Sequence, residues 1–139
     1  MDTFDPSQVN LVIGGQLITG YMDGSFIEVT REEDTWLPIT GADGRVARAR
    51  NANRMGRVVV TLLATSPSND VLSALHNVDF LTGVPPGALS ITDNLGRTVL
   101  GGDEAFILKP ADVEFAKEVT GRQWTIMVPK LDGVIGGSI

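Results

Sequence analysis

The chain has no cysteine and one histidine, His76. The first absence excludes a disulfide framework and a zinc–thiolate site. The second leaves no imidazole partner for a usual metal site. No nucleophile or orienting acid is marked near His76 in the sequence, so it is not read as a general base. Phosphate-binding glycine loops ending in Lys-Ser or Lys-Thr are missing, as is a dinucleotide fingerprint. No apolar stretch approaches the length that spans a bilayer, so no membrane anchor is expected. Residues Met1 to Pro6 lack a basic region followed by an apolar run and do not read as a signal peptide. Glu32-Glu33-Asp34 and Asp103-Glu104 are adjacent acids of the kind found on a solvated rim, rather than a spaced glycosidase pair. The turn Asp93 to Gly96 lacks calcium-loop spacing. These exclusions point to a structural or binding protein, not an enzyme, with no cofactor.

Acid is also missing from one stretch. Five of the eleven basic residues, Arg45, Arg48, Arg50, Arg54 and Arg57, lie within thirteen positions, and no Asp or Glu occurs between Arg45 and Asn69. The other six basic residues face all seventeen acids, within a net charge of −6. A cationic strip on an anionic body equips one copy to bind the next head to tail; it is also what a solvated basic hairpin without a partner looks like. The isoelectric point near 4.6 argues against tight general DNA binding, which needs many phosphate contacts.

What the chain has in quantity is glycine, sixteen residues, mostly in turn pairs such as Gly14-Gly15, Asp23-Gly24, Asp43-Gly44 and Gly101-Gly102. Between them lie short runs rich in Val, Ile, Thr and Phe. These read as strands near Val9–Ile13, Gln16–Tyr21, Ser25–Arg31, Val46–Asn51, Arg57–Thr65, Ala88–Thr92, Thr98–Leu100, Ala105–Leu108, Val113–Val119 and Gln123–Val128. Regular short strands with turn signals predict a sandwich or barrel. One segment differs. Ser66-Pro67 gives a helix start, Val71, Leu72, Leu75, Val78 and Leu81 follow at helical spacing, and Gly83 closes it. The expected fold class is mainly β: a compact β-barrel or two-sheet sandwich with one flanking α-helix at about residues 67–82. The length fits a single domain, 1–139.

Thr35–Gly44 reads as a loop. Trp36 and Leu37 within it either form an apolar partner patch or, for Trp36, fold back onto the body. If Val46–Met55 is extended, Val46, Arg48, Arg50, Ala52 and Arg54 share one face, and Ala47, Ala49, Asn51 and Asn53 the other. The arginines can then pair with carboxylates of another copy, with Glu32, Glu33, Asp34, Asp103 and Glu104 as candidate acceptors. In Ser25–Glu32, the residues Phe26, Glu28, Thr30 and Glu32 share a face opposite Ile27 and Val29. The first face points either into a lumen or into solvent. Residues Val134 to Ile139 read as a frayed tail or as a strand that needs a neighbour.

Several stretches together resemble a known family. They are Phe4-Asp5-Pro6, Gly20–Phe26, Gly41–Val46 with Arg48–Asn51, Thr65–Leu75 and Lys109–Glu118. As an ordered set they are similar to the tail tube protein of contractile-tailed (myovirus) phages, across nearly the whole chain. The resemblance implies hexameric rings stacked into a tube inside a contractile sheath, with genomic DNA passing through transiently and without specific binding. Implied partners are further copies of the chain, the tail sheath protein, and baseplate and tail-terminator proteins. The implied location is the virion tail, with host cytoplasm during assembly. The stretch at about residues 35–57 resembles the inter-subunit arm, which makes Trp36, Arg45, Arg48, Arg50, Arg54 and Arg57 the expected interface residues. Glu28, Thr30 and Glu32 are the expected channel lining, since a wall that DNA slides past must not be cationic. The alternative on the same scaffold is a single-ring baseplate or tail-terminator protein.

Overall fold

The structure, a computed structural model, describes residues 1–137. In chain order its elements are β1 (Val9–Ile13), β2 (Gln16–Ile18), β3 (Ile27–Arg31), β4 (Trp36–Thr40), β5 (Val46–Arg50), β6 (Gly56–Leu63), α1 (Ser68–Thr82), β7 (Gly87–Asp93), β8 (Val99–Lys109), β9 (Gly121–Val128) and β10 (Asp132–Val134). The centre is built by alternation. Along β6, Gly56, Val58, Val60 and Leu62 are buried while Arg57, Val59, Thr61 and Leu63 turn away, as period-two geometry requires of a strand with one face in the core. Burying each such valine or leucine contributes about 1.5–3 kcal/mol. β6 pairs with β9 from Gly56–Val128 to Leu63–Gly121, and β3 lies on its other side.

The ladder runs β2-β1-β7-β8-β9-β6-β3, with β10 added to β8. β8 carries the turn from one sheet to the next. Its first part pairs with β7 and its last part with β9. Between them the β7 register shifts, and Glu104 adopts φ 58°, a left-handed conformation that is uncommon for a residue with a Cβ. The separate strands expected at Thr98–Leu100 and Ala105–Leu108 are therefore one strand bent at a corner. Leu11, Ile13, Leu89, Ile91 and Leu100 of the first sheet meet Val58, Val60, Leu62, Trp124 and Ile126 of the second in one core.

The barrel alternative does not hold. The end strands β2 and β3 do not pair, and an isolated bridge, Tyr21–Leu62, joins the β2 side to β6. A cleft of about 330 Å³, lined by Phe4, Val9, Ile27, Val29, Ile91 and Leu100 among others, stays open beside β3. The result is an open two-sheet sandwich. Two further expectations are corrected. Residues Trp36–Thr40 form a strand rather than a loop, and Val113–Val119 belongs to no strand. At the C-terminus, Asp132–Val134 is a strand on β8, and the Arg97 N–H donates to the Gly137 carbonyl at 2.8 Å. Ser138 and Ile139 lie outside the described residues.

Helix α1 packs on β8 and β2. The Ser66 hydroxyl fastens its start, donating to the Thr19 carbonyl at 2.6 Å and accepting from the Ser68 N–H at 3.2 Å. Gly20 passes so close to Ser66 that a Cβ there would collide with it. The Trp124 indole donates to Asn69 Oδ1 at 2.9 Å, giving the buried ring the partner its N–H needs. Gly83 ends the helix in the left-handed conformation, φ 73°, the usual stop for a helix. The apolar stripe is only half used. Leu72 is fully buried and Val71 and Leu75 pack against the core, but Val78 is 54% exposed and Leu81 80%. The body reaches only the first turns, so the last turns project beyond it. Leu72→Ala is expected to destabilise the fold by about 2–5 kcal/mol, whereas Leu81→Ala should stay within about 0.5 kcal/mol. Chemical denaturation of both variants reads the difference; equal losses would mean that the whole stripe is packed.

Candidate assembly interface and channel face

Strands β4 and β5 pair with each other, from Trp36–Arg50 to Thr40–Val46, and form a separate two-stranded sheet. Every residue of β5 is exposed, and none in β4 is buried. This hairpin is an arm that leaves the sandwich after β3 and returns into β6. Bonds at its ends set its ladder: the Asn51 N–H donates to the Thr35 carbonyl (2.8 Å) and the Gly41 N–H to the Arg45 carbonyl (2.7 Å). Antiparallel ladders alternate bonded and non-bonded pairs. Leu37–Ala49 and Ile39–Ala47 are therefore the bonded pairs, and Pro38, opposite Arg48, falls where its missing N–H costs no ladder bond.

Cross-strand neighbours share a face. One face of the arm carries Trp36, Pro38 and Thr40 with Val46, Arg48 and Arg50; the other carries Leu37 and Ile39 with Ala47 and Ala49. Trp36 does not fold back onto the body. The Arg48 guanidinium lies 3.7 Å from its ring centroid and that of Arg50 5.4 Å, contacts worth about 0.5–1 kcal/mol each at an exposed site. Leu37 and Ile39, 49% and 71% exposed, leave the second face apolar on an arm that has no core to cover it.

The arm is fixed at its root by Asx geometry. The Glu33 carboxylate accepts from the side-chain amides of Asn51 and Asn53, each at 3.0 Å. Asn51 Oδ1 takes the Asn53 N–H, and Asn53 Oδ1 takes the Met55 N–H. The bond from Asn51, then that from Asn53, holds the Glu33 carboxyl below the usual carboxylate range. Two of the expected interface arginines lie outside the β4–β5 ladder. Arg54 lies past β5, where the arm returns to the body, and forms an ion pair with Asp132 at 2.5 Å. Arg57 lies in β6, opposite Thr30, and its Nε donates to Glu32 at 2.7 Å. The candidate acceptors Glu32 and Glu33 are thus engaged within their own chain. Asp103 and Glu104 sit at the β8 corner, where they line a groove of about 480 Å³ with Lys130 and Asp132. Arg45, Arg48 and Arg50 remain as the arm's cations, and among the described residues the ion pairs are those of Arg54 and Arg57.

On β3, Ile27 and Val29 turn toward the core while Glu28 and Thr30 are exposed on the outer face of the β3-β6-β9 sheet, opposite Val59 and Arg57. Glu32 follows β3 rather than belonging to it. Its charge is offset by Arg57, which the charge run alone assigned to the arm. Glu28 is the carboxylate of this face without an ion-pair partner among the described residues.

The Glu33 bonds make a pH prediction. A carboxyl held low contributes stability that is present above its unfolded pKa and is lost as pH falls through its folded pKa. In Asn51→Ala/Asn53→Ala, the Glu33 titration followed by carboxyl NMR should move up toward the ordinary carboxylate range. A titration unchanged by the double substitution would show that these amides do not set it.

The comparisons with known proteins agree with this architecture. The family model described as the bacteriophage PhiTE tail tube protein matches residues 11–136. A relative from Pseudomonas phage KPP10, "Structural protein ORF10", is 34% identical over 144 residues, covering 98% of this chain and 83% of that protein. Among solved structures, the tube-terminating cap of the anti-feeding prophage superposes with a TM-score of 0.63 at 10% identity, covering 96% of this chain and 92% of that one. The sheath/tube terminator of the PVC extracellular contractile injection system in its extended state gives 0.58 at 9% identity, with 97% and 99% covered. Its sheath–tube complex gives 0.55 at 9% identity, with 95% and 91% covered. At such identities the structures establish a shared fold. The open sandwich and its flanking helix are thus those of tube and terminator proteins, and the match over nearly the whole chain carries the rest: the chain belongs to the PhiTE-type bacteriophage tail tube protein family, a family of structural proteins of the phage virion.

Proposed function

We propose that the chain is the tube subunit itself, a single domain whose copies close into hexameric rings that stack inside a contractile sheath and carry the genome into the host. The observation that carries this reading is the arm. A hairpin with a cationic, aromatic face and an apolar face, paired to nothing else among the described residues, is a surface made for another copy. An isolated two-stranded hairpin is marginal in water, so docking supplies the stability its own chain does not. A contact of this head-to-tail kind, where rotation does not close it, propagates into a helical filament. The exposed edges of β2 and β3 likewise call for neighbouring strands. Sheath, baseplate and terminator proteins are the remaining partners, and the subunit is assembled in host cytoplasm before joining the virion.

The alternative is a single-ring terminator or baseplate protein on the same scaffold, and the two terminators among the structural neighbours favour keeping it. Negative-stain microscopy of the purified protein separates the two: long tubes support the tube subunit, single rings the terminator.

Reversing Arg48 and Arg50 to Glu should leave thermal unfolding nearly unchanged, because both side chains are exposed on the arm. It should remove tubes from sedimentation and microscopy, because the arm's charge is inverted. Tubes of parental length and yield would exclude a role for these arginines in assembly.

The outer face of β3 is our reading of the channel wall. Glu28→Lys in each of six copies would ring the passage with cations, so DNA ejection should slow, and slow less as salt rises. Normal tails with parental ejection at low salt would take Glu28 off the wall; malformed tails would put it in an interface.

A further inference from the structure

The strand expected at Val113–Val119 does not form, and within it and just before it the residues from Asp112 to Phe115 alternate acidic and apolar while belonging to no strand or helix. Val113 and Phe115 point one way in the pattern, Asp112 and Glu114 the other. Val113 is 59% exposed and Phe115 90%. The segment is tied to the body by the Thr120 hydroxyl, which donates to the Glu114 carbonyl at 3.1 Å, and by the Arg122 guanidinium 5.7 Å from the Phe115 ring centroid. It is a sequence with strand character and no partner strand among the described residues.

The arm offers such a partner. Because Leu37–Ala49 and Ile39–Ala47 are the bonded pairs, the N–H and C=O groups of Val46, Arg48 and Arg50 face away from β4, along an open edge. Set antiparallel to that edge, Asp112 lies opposite Arg50, Val113 opposite Ala49, Glu114 opposite Arg48, Phe115 opposite Ala47 and Ala116 opposite Val46. Both faces then agree at every position. Two acids meet two arginines on the face that holds Trp36. On the other face, Val113 and Phe115 lie over two alanines, whose small side chains leave room for the ring. A shift by one residue in either direction would set Glu114 against an alanine and Val113 against an arginine. The outer edge of β4 carries no basic residue, so it offers the acids nothing.

We propose that residues Asp112–Ala116 of one copy add as a third strand to β5 of a second copy. Main-chain bonds hold the contact, and the alternating acidic and apolar side chains fix its register. The proposal rests on the self-assembly reading above and names the docking site of the arm.

The test uses the full chain, which has no cysteine of its own. Ala47→Cys and Phe115→Cys are made in separate chains, mixed, assembled and oxidised with copper phenanthroline. A cross-linked heterodimer is expected on a non-reducing gel, and it should be missing when Val84→Cys, also exposed, replaces Phe115→Cys. In parallel, Glu114→Arg and Arg48→Glu should each lower pelleted assembly by about tenfold with circular dichroism unchanged, and the two combined in one chain should restore it. Parental assembly of Glu114→Arg, failure of the combined variant to recover, or absence of the specific cross-link overturns the pairing. Rings that cross-link without forming tubes keep the pairing and remove the tube reading. Tubes without cross-link or rescue do the reverse, and a chain that stays monomeric overturns both.

Discussion

The register between β6 and β9 is the constraint on which the other elements depend. β6 alternates between core and outer face along its whole length, and a slip of one residue would turn Val58, Val60 and Leu62 outward together. With that register set, Trp124 falls opposite Val60, where its indole reaches Asn69 and holds the start of α1. The same strand receives the returning arm at Gly56 and carries Arg57 to its partner Glu32. The positions of helix, arm and outer face are therefore consequences of one ladder.

The structure divides the arginine run into two groups that differ in physical state. Arg54 and Arg57 are paired within the subunit, where they tie the end of the arm to β10 and the end of β3 to β6. Arg48 and Arg50 lie within cation–π reach of Trp36, Arg48 the nearer. A guanidinium attracted to an aromatic ring keeps its donors accessible, so less side-chain freedom is lost when a carboxylate arrives. Ordered but uncommitted charge of this kind is better suited to a contact between molecules than a mobile lysine would be.

Much of the sandwich was legible in the sequence because its strands are short runs rich in Val, Ile, Thr and Phe set off by turn residues: Val9–Ile13, Arg57–Thr65 and Gln123–Val128 each mark a strand, β1, β6 and β9. The helix was legible from Ser66-Pro67 and Gly83, though its apolar spacing overstated its burial, since the stripe does not say how far the body extends beneath it. Trp36–Thr40 was missed because Pro38 and the lack of a polar alternation hide a strand whose pairing lies entirely within the arm. The β8 corner was hidden because Gly101-Gly102 looks like a hairpin turn, when both glycines lie within the ladder to β7 and the bend follows at Glu104. Val113–Val119 failed in the opposite sense: its β-prone residues are real, but the described residues provide no ladder for it. The exposed cationic strand that holds Arg48 and Arg50 could be read from charge. The ion pairs of Arg54 and Arg57 could not, because Asp132 and Glu32 become their neighbours only through pairings set by the whole fold.

The bend at Glu104 has a mechanical consequence. Since β8 is one covalent backbone shared by both sheets, pulling the sheets apart loads the main chain and two hydrogen-bonded ladders, in addition to side-chain packing. Bonds in a ladder pulled along the strand carry the load side by side, so rupture requires many to fail at once. The corner residue, at φ 58°, then lies on a load path that runs along the main chain from one sheet to the other.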